Sequence, residues 1–300
     1  MGVVRHLVWY HVTGVFMKNW DSLDEKVVCS SERDENAYKY WHEVANGTKW
    51  EGTYRNSTPN PDILCNKHIK FNHFYNYSIN SLEALRSGTV RTTNSSQLLS
   101  VLYHGADCFK DQTFFLSQML QDALRHRVFP LSGLTKVYVK KIAVEAGFQH
   151  VLKKKEYLEP KPWYLLCYCL SHYPYKSTRD AWFVVDKDVT TGEVFVGPTT
   201  NHPALFRDEV RTDRFHWITE DPPTELIQTK MECHFRFIHQ MPLTPCTVTL
   251  NMDGSVWIML SQPIRALTPG QFAVLYKGDK CLGSGKIVHL GPTEHTLQQG

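Results

Sequence analysis

The sequence has no run of eighteen apolar residues, which excludes an ordinary membrane-spanning helix. It also has no secretory signal with an apolar core and cleavage site. No two of its eight cysteines stand at the CxxC spacing of a zinc knuckle; Cys167 and Cys169 are one residue too close, and the rest follow no disulfide pattern. Neither a stable metal site nor a prosthetic group is therefore expected. There is no strong excess of one charge, since 33 basic residues face 30 acidic ones for a net +3. That balance excludes a uniformly basic polyanion binder and leaves room for local basic patches. Internal repeats and low-complexity tracts are absent too. What remains, 42% hydrophobic and 21% charged over 300 residues, is enough for two or three ordinary cores.

One stretch stands apart from ordinary core sequence: Thr58-Pro-Asn-Pro-Asp-Ile-Leu-Cys-Asn-Lys-His-Ile-Lys-Phe71. Pro59 and Pro61 impose an extended loop over 58–62, after which the spacing predicts a helix capped by Asp62. Cys65 then falls in the first turn, where the helix dipole and Lys67 favour the thiolate. Two readings follow from the residues alone. Cys65 is either a reactive thiol beside an acid or a buried structural thiol after a proline turn.

This stretch resembles the active-site signature of the tRNA 2-thiouridylase family. Four further segments are similar to that family in the same order: Val12–Asp21, Phe109–Gln118, His234–Gln240 and Thr268–Asp279. The wording is closest to the animal mitochondrial branch. The resemblance implies ATP-dependent transfer of sulfur to the 2-position of wobble uridine 34 in mitochondrial tRNA, with Mg-bound ATP as cosubstrate and a persulfide sulfur donor as partner. It implies that Asn60, Pro61 and Asp62 hold the target base, with Asp62 as acid or base. Cys65 attacks the persulfide and forms a disulfide with a second cysteine. Lys110, Asp111, Gln112, Arg236 and Phe237 match tRNA contacts, and Met17 matches an adenine contact. A mitochondrial location follows from the same likeness, and the first twenty residues, with Arg5 and Lys18 but no acid, permit a presequence.

Two parts of the family pattern are missing. Its first strand leads into a PP-loop, Ser-Gly-Gly-Val-Asp-Ser, whose amides cradle the ATP pyrophosphate. Here Arg5–Tyr10 runs directly into His11–Met17. Its Gly-x-Cys-Phe-Ile-Gly loop, which carries the persulfide, is replaced by Trp163–His172, so Cys167 and Cys169 do not inherit that role. The alternative function is accordingly a catalytically defective tRNA-binding form.

The fold class expected is an α/β N-terminal domain of truncated PP-loop, adenine nucleotide alpha-hydrolase type over residues 1–152, then an irregular linker over 153–180. Residues 87–96 read as a flexible loop. Phe114, Phe115, Met119, Ala123 and Leu124 recur at helical spacing over 111–128 with Asp111 as cap, and a second helix spans 135–146 before Gly147. From residue 181 the apolar period falls to two, with hairpin signals at Asn251–Gly254 and Lys277–Lys280. This half divides into a small β module over 181–222 and a six-stranded barrel over 228–298.

Overall fold

The computed structural model describes residues 60–76, 99–125, 129–148, 182–188 and 190–299. The chain divides into two compact units. One comprises Met1–Arg55, Pro61–Ser100 and Met119–Pro130, the other Asn56–Asn60, Val101–Gln118 and Leu131–Gly300.

In the first unit helix α1 (Pro61–Leu64) runs without a break into a π-helical segment, Cys65–His73. A proline suits the first helical position because it has no N–H to leave unpaired. The helix therefore begins two residues earlier than expected, and Asp62 lies in its first turn instead of capping it. Cys65 becomes the fifth helical residue, beyond the turn in which the helix end charge is strongest. Ile63, Asn66, Ile69 and Tyr75 form the buried side.

The second unit opens with strand β1 (Leu102–Tyr103) and helix α2 (Thr113–Leu116). Helix α3 (Gln121–Arg125) belongs to the first unit, where the Gln121 side chain holds both the N–H and the carbonyl of Ser100, at 2.8 and 2.7 Å. The single helix expected over 111–128 is thus two short ones. Ser117 explains the break: its hydroxyl bonds back to the Phe114 carbonyl at 2.8 Å and to Ser284 Oγ at 2.9 Å, competing with helix continuation. Four of the five apolar residues expected in the core, Phe114, Met119, Ala123 and Leu124, are buried. Helix α4 (Lys136–Glu145) matches expectation, capped by the Thr135 hydroxyl and closed before Gly147 at φ +84°.

Strands β2 (Trp182–Lys187) and β3 (Val194–Pro198) make a separate antiparallel ribbon. Then follow β4 (Phe206–Arg214), β5 (His216–Trp217), helix α5 (Thr224–Gln228), β6 (Met231–Arg236), β7 (Thr244–Leu250), β8 (Ser255–Arg265), β9 (Phe272–Lys277), β10 (Lys280–Leu290) and helix α6 (Glu294–Gln299). Pairing runs β10–β4–β8–β7–β6–β9 and returns from β9 to β10, closing a six-stranded antiparallel barrel. Val210, Phe235, Val248, Ile258, Leu275 and Ile287 are among its interior side chains.

The expected domain limits change in two places. Strand β4, assigned by its sequence to the small module, is a barrel strand paired to β8 and β10. Its inward face carries only Val210 and Thr212 in a charged run, too little for a period-two signal. Residues 101–118 and α4, assigned to the N-terminal domain, fall in the barrel unit because β1 pairs with β10 and the 117–118 turn bonds to Ser284. The linker 153–180, the loop 87–96 and the strand expected near residue 3 lie outside the described residues. Among the described residues no helix is long and apolar enough to cross a membrane.

Gly283 makes the bend in β10. It adopts φ +142° at a register shift, and a Cβ there would lie 1.9 Å from the His216 carbonyl oxygen. The atoms it would meet are backbone of His216 and Trp217, which cannot rotate away. Gly283→Ala is expected to cost about 3 kcal/mol or more, whereas Gly278→Ala, at φ +57° with open space around it, should cost about 1 kcal/mol. Urea unfolding followed by tryptophan fluorescence measures both; equal losses would contradict the assignment of Gly283 as the structural bend.

Candidate functional site

Alternation along a strand decides which side chains reach the outside of the barrel. On β6, Phe235 points inward and Arg236 outward; on β9, Ala273 and Leu275 point inward and Val274 and Tyr276 outward. The outer face of β6, β9 and β10 is covered by residues 102–118. Ser117 and Gln118 fasten this cover to β10: Gln118 Nε2 donates to the Ser284 carbonyl at 2.8 Å, beside the Ser117 bond to Ser284 Oγ.

Under the cover lies a polar cluster built on Tyr276. The His104 ring stacks on it with centroids 4.7 Å apart, and the Arg236 guanidinium lies over it at 5.5 Å. Asp111 organises the surroundings by accepting from His104 Nδ1 at 2.9 Å, from the Gly105 N–H at 3.1 Å and from the Thr113 hydroxyl. The Tyr276 hydroxyl is 3.4 Å from Thr113 Oγ1, and His239 Nε2 bonds to the Asp111 carbonyl. Two buried nitrogens of this cluster, His104 Nε2 and Arg236 Nε, meet no hydrogen-bond partner among the described residues.

Electrostatics follow burial and bonding. Burial raises the Asp111 carboxyl, but the Thr113, Gly105 and His104 bonds outweigh it and hold the group below the usual carboxylate range. Burial, then the nearby Cys281 thiol, pushes the Tyr276 phenol up. Burial pushes Cys281 up to about 12. Both stay protonated at neutral pH, so the face has a fixed ionic pattern of one anchored carboxylate and an arginine.

The segments expected to act together do meet here. Lys110–Gln112 and Arg236 are brought to one face, with Lys110 and Gln112 exposed on the loop before α2. Asn60 joins the same unit, its amide donating to Gln271 Oε1 at 3.0 Å just before β9. Two expected contact residues are corrected. Asp111 is 4% exposed with its carboxylate spent on internal partners, so its role is to position the loop. Phe237 is 3% exposed and packs in the barrel interior near Phe235, because it shares that residue's inward phase.

In the signature, Asp62 is exposed and Cys65 half-buried. His68 is held below its ordinary value by burial, then by Lys67 and His73, and is neutral at neutral pH. Met17, Cys167 and Cys169 lie outside the described residues. The sequence reading missed His104 and Tyr276. A two-residue strand precedes the first and an uninterrupted apolar strand holds the second, so neither stands out by pattern. Gln271 lay in a quoted motif without an assigned role. Among the described residues no group of three or more His, Cys, Asp or Glu is placed to hold a metal ion.

Comparison with known proteins agrees with this architecture. Residues 35–159 match the tRNA methyl transferase HUP domain and residues 207–287 the Aminomethyltransferase beta-barrel domain. An α/β HUP domain followed by a closed barrel is the architecture of a class of tRNA-modifying enzymes. The chain is 50% identical over 398 aligned residues to mitochondrial tRNA-specific 2-thiouridylase 1 of Danio rerio, covering 100% of this chain and 95% of the relative. It is 47% identical to the protein of that name in Gallus gallus and 45% to the one in Homo sapiens, covering 97% of this chain and 89% and 87% of the relatives. The chain belongs to the tRNA-specific 2-thiouridylase family, a family of sulfurtransferases, and falls in its mitochondrial branch. The Danio rerio match spans 398 aligned positions and this chain has 300 residues; the difference, at least 98 positions, faces no residue here.

Because the folded Asp111 carboxyl is lowered, its stabilisation is present above its unfolded pKa, about pH 4, and is lost as pH falls through the folded value. Asp111→Asn should cost about 1–3 kcal/mol at neutral pH, with the gap to wild type narrowing below about pH 4. Denaturant titrations at several pH values measure this; a gap that does not change with acid would place the stabilisation elsewhere.

Proposed function

We propose that this protein acts in 2-thiolation of wobble uridine 34 of mitochondrial tRNA, within 5-taurinomethyl-2-thiouridine synthesis, and that it holds the tRNA on the face along β9. The observation that carries the binding half is that three segments far apart in sequence meet along this strand: Asn60 on Gln271, Lys110–Gln112 through Thr113 and Tyr276, and Arg236 over Tyr276. Lys110 and Arg236 supply phosphate contacts. Asp111 does not touch RNA; it fixes the loop that presents Lys110 and Gln112. Asn60, Pro61 and Asp62 hold the flipped base, and Cys65 is the nucleophile toward the persulfide sulfur.

In this reaction ATP turns the uridine 2-oxygen into a leaving group. The residues at hand do not fit its phosphates: no Ser-Gly-Gly-Val-Asp-Ser loop stands between Arg5 and Met17, and the described residues hold no glycine-rich loop opening a helix. No step is therefore derived through the nucleotide. The same observation, with the positions of the Danio rerio relative that have no counterpart here, favours a second reading: a tRNA-binding member that does not complete thiolation.

One experiment separates the readings. The chain is incubated with mitochondrial tRNA, ATP and a persulfide donor, and the digested tRNA is searched for 2-thiouridine by mass spectrometry. Product that requires ATP and vanishes with Cys65→Ser supports the first reading; no product with tRNA binding intact supports the second. In filter binding, Arg236→Ala is expected to weaken different tRNAs alike and to reduce the log–log salt slope by about one unit. Affinity indifferent to both salt and Arg236→Ala would remove the barrel face from the interface.

A further inference from the structure

Two cysteines of the barrel play no part in the site described above. Cys233 on β6 and Cys246 on β7 are direct cross-strand partners, both 5% exposed, with their sulfurs 3.6 Å apart. Directly opposed residues of an antiparallel pair have Cα atoms about 4.5–5.5 Å apart, within the span a disulfide accepts. Bringing the sulfurs to about 2.0 Å then needs side-chain rotation and little movement of the strands. An open groove of about 500 Å³ runs along the outer face of this strand pair beside His234, Pro245 and Lys277, while both sulfurs belong to the barrel core, one strand thickness away.

We propose that Cys233 and Cys246 form an oxidation site in the barrel, a dithiol that a peroxide converts into an intrachain disulfide. The hydrogen bond to Cys233, and then burial, push the Cys246 thiol far above its ordinary range. The Cys233 sulfur attacks one peroxide oxygen, giving up its proton, and the O–O bond breaks. The departing hydroxide takes up the released proton as water, leaving Cys233 as the sulfenic acid. The Cys246 sulfur then attacks the Cys233 sulfur and the S–O bond breaks. The second hydroxide leaves as water with the Cys246 proton. Two thiols and one peroxide thus become one disulfide and two waters, each sulfur losing one electron. The product ties β6 to β7 across their hairpin and does not involve Cys65. It rests on barrel geometry alone and goes beyond the tRNA reaction.

The test uses the full native chain treated with hydrogen peroxide, quenched, unfolded, alkylated and digested with trypsin, which cuts after Arg236 between the two cysteines. The expected result is loss of the alkylated Cys233 and Cys246 peptides and appearance of one linked species. Its mass lies about 2 Da below the sum of the two free-thiol peptides, for the two hydrogens removed, and a reductant restores both. Diamide, which oxidises dithiols without a sulfenic acid, should give the same link. In Cys233→Ser, Cys246 should remain fully alkylated. Full alkylation of both residues in wild-type chain while exposed Cys108 is oxidised in the same sample would overturn the proposal. So would linkage of either residue to Cys65 or Cys108 instead.

Discussion

Strand β10 pairs at once with β9, β4, β5 and β1, and the bend at Gly283 is what lets eleven residues serve four neighbours. The rest of the barrel unit inherits its position from that strand. Ser284, buried and directly after the bend, receives Ser117 and Gln118. Those two residues end α2, whose first residue, Thr113, reaches Asp111 and Tyr276. Asp111 in turn holds His104 and Gly105. A chain of short polar contacts thus runs from one backbone bend to the loop that presents Lys110.

The barrel was largely readable because period-two alternation survives wherever a strand has one wet and one dry face. Strands β6, β7 and β9 fall in the stretch where the apolar period is two, and the Asn251–Gly254 turn has its glycine at φ +79° as such a hairpin requires. Strand β4 escaped because Phe206–Arg214 carries six charged residues and its pairing is set by β8 and β10 on either side. Local sequence cannot report what a neighbouring strand supplies. The same limit explains the helix drawn through Ser117, where a tertiary hydrogen bond overrides an unbroken apolar spacing.

At the candidate site, residue types were legible and orientations were not. Arg236 and Phe237 are adjacent, yet one belongs to the outer face and the other to the core. Asp111 had the right type for a cap but serves three other donors. In the signature, the proline that looked like part of the loop opens the helix, and the two-residue difference moves Cys65 out of the first turn. The π-helical stretch beginning at Cys65 has no counterpart in any sequence pattern used for helices; such wide turns are rare and usually brief. Conformation at Cys65 is therefore a property of the fold around it and not of the motif.

Closure of the barrel is complete within residues 206–290. None of its six strands comes from upstream, so changes of length in the earlier part of the chain leave the six ladders that close the barrel intact. What such changes alter is the part of the Tyr276 lining that residues 102–118 provide. A lineage could shorten its first half considerably and still retain a closed barrel, with the roof over one aromatic ring removed.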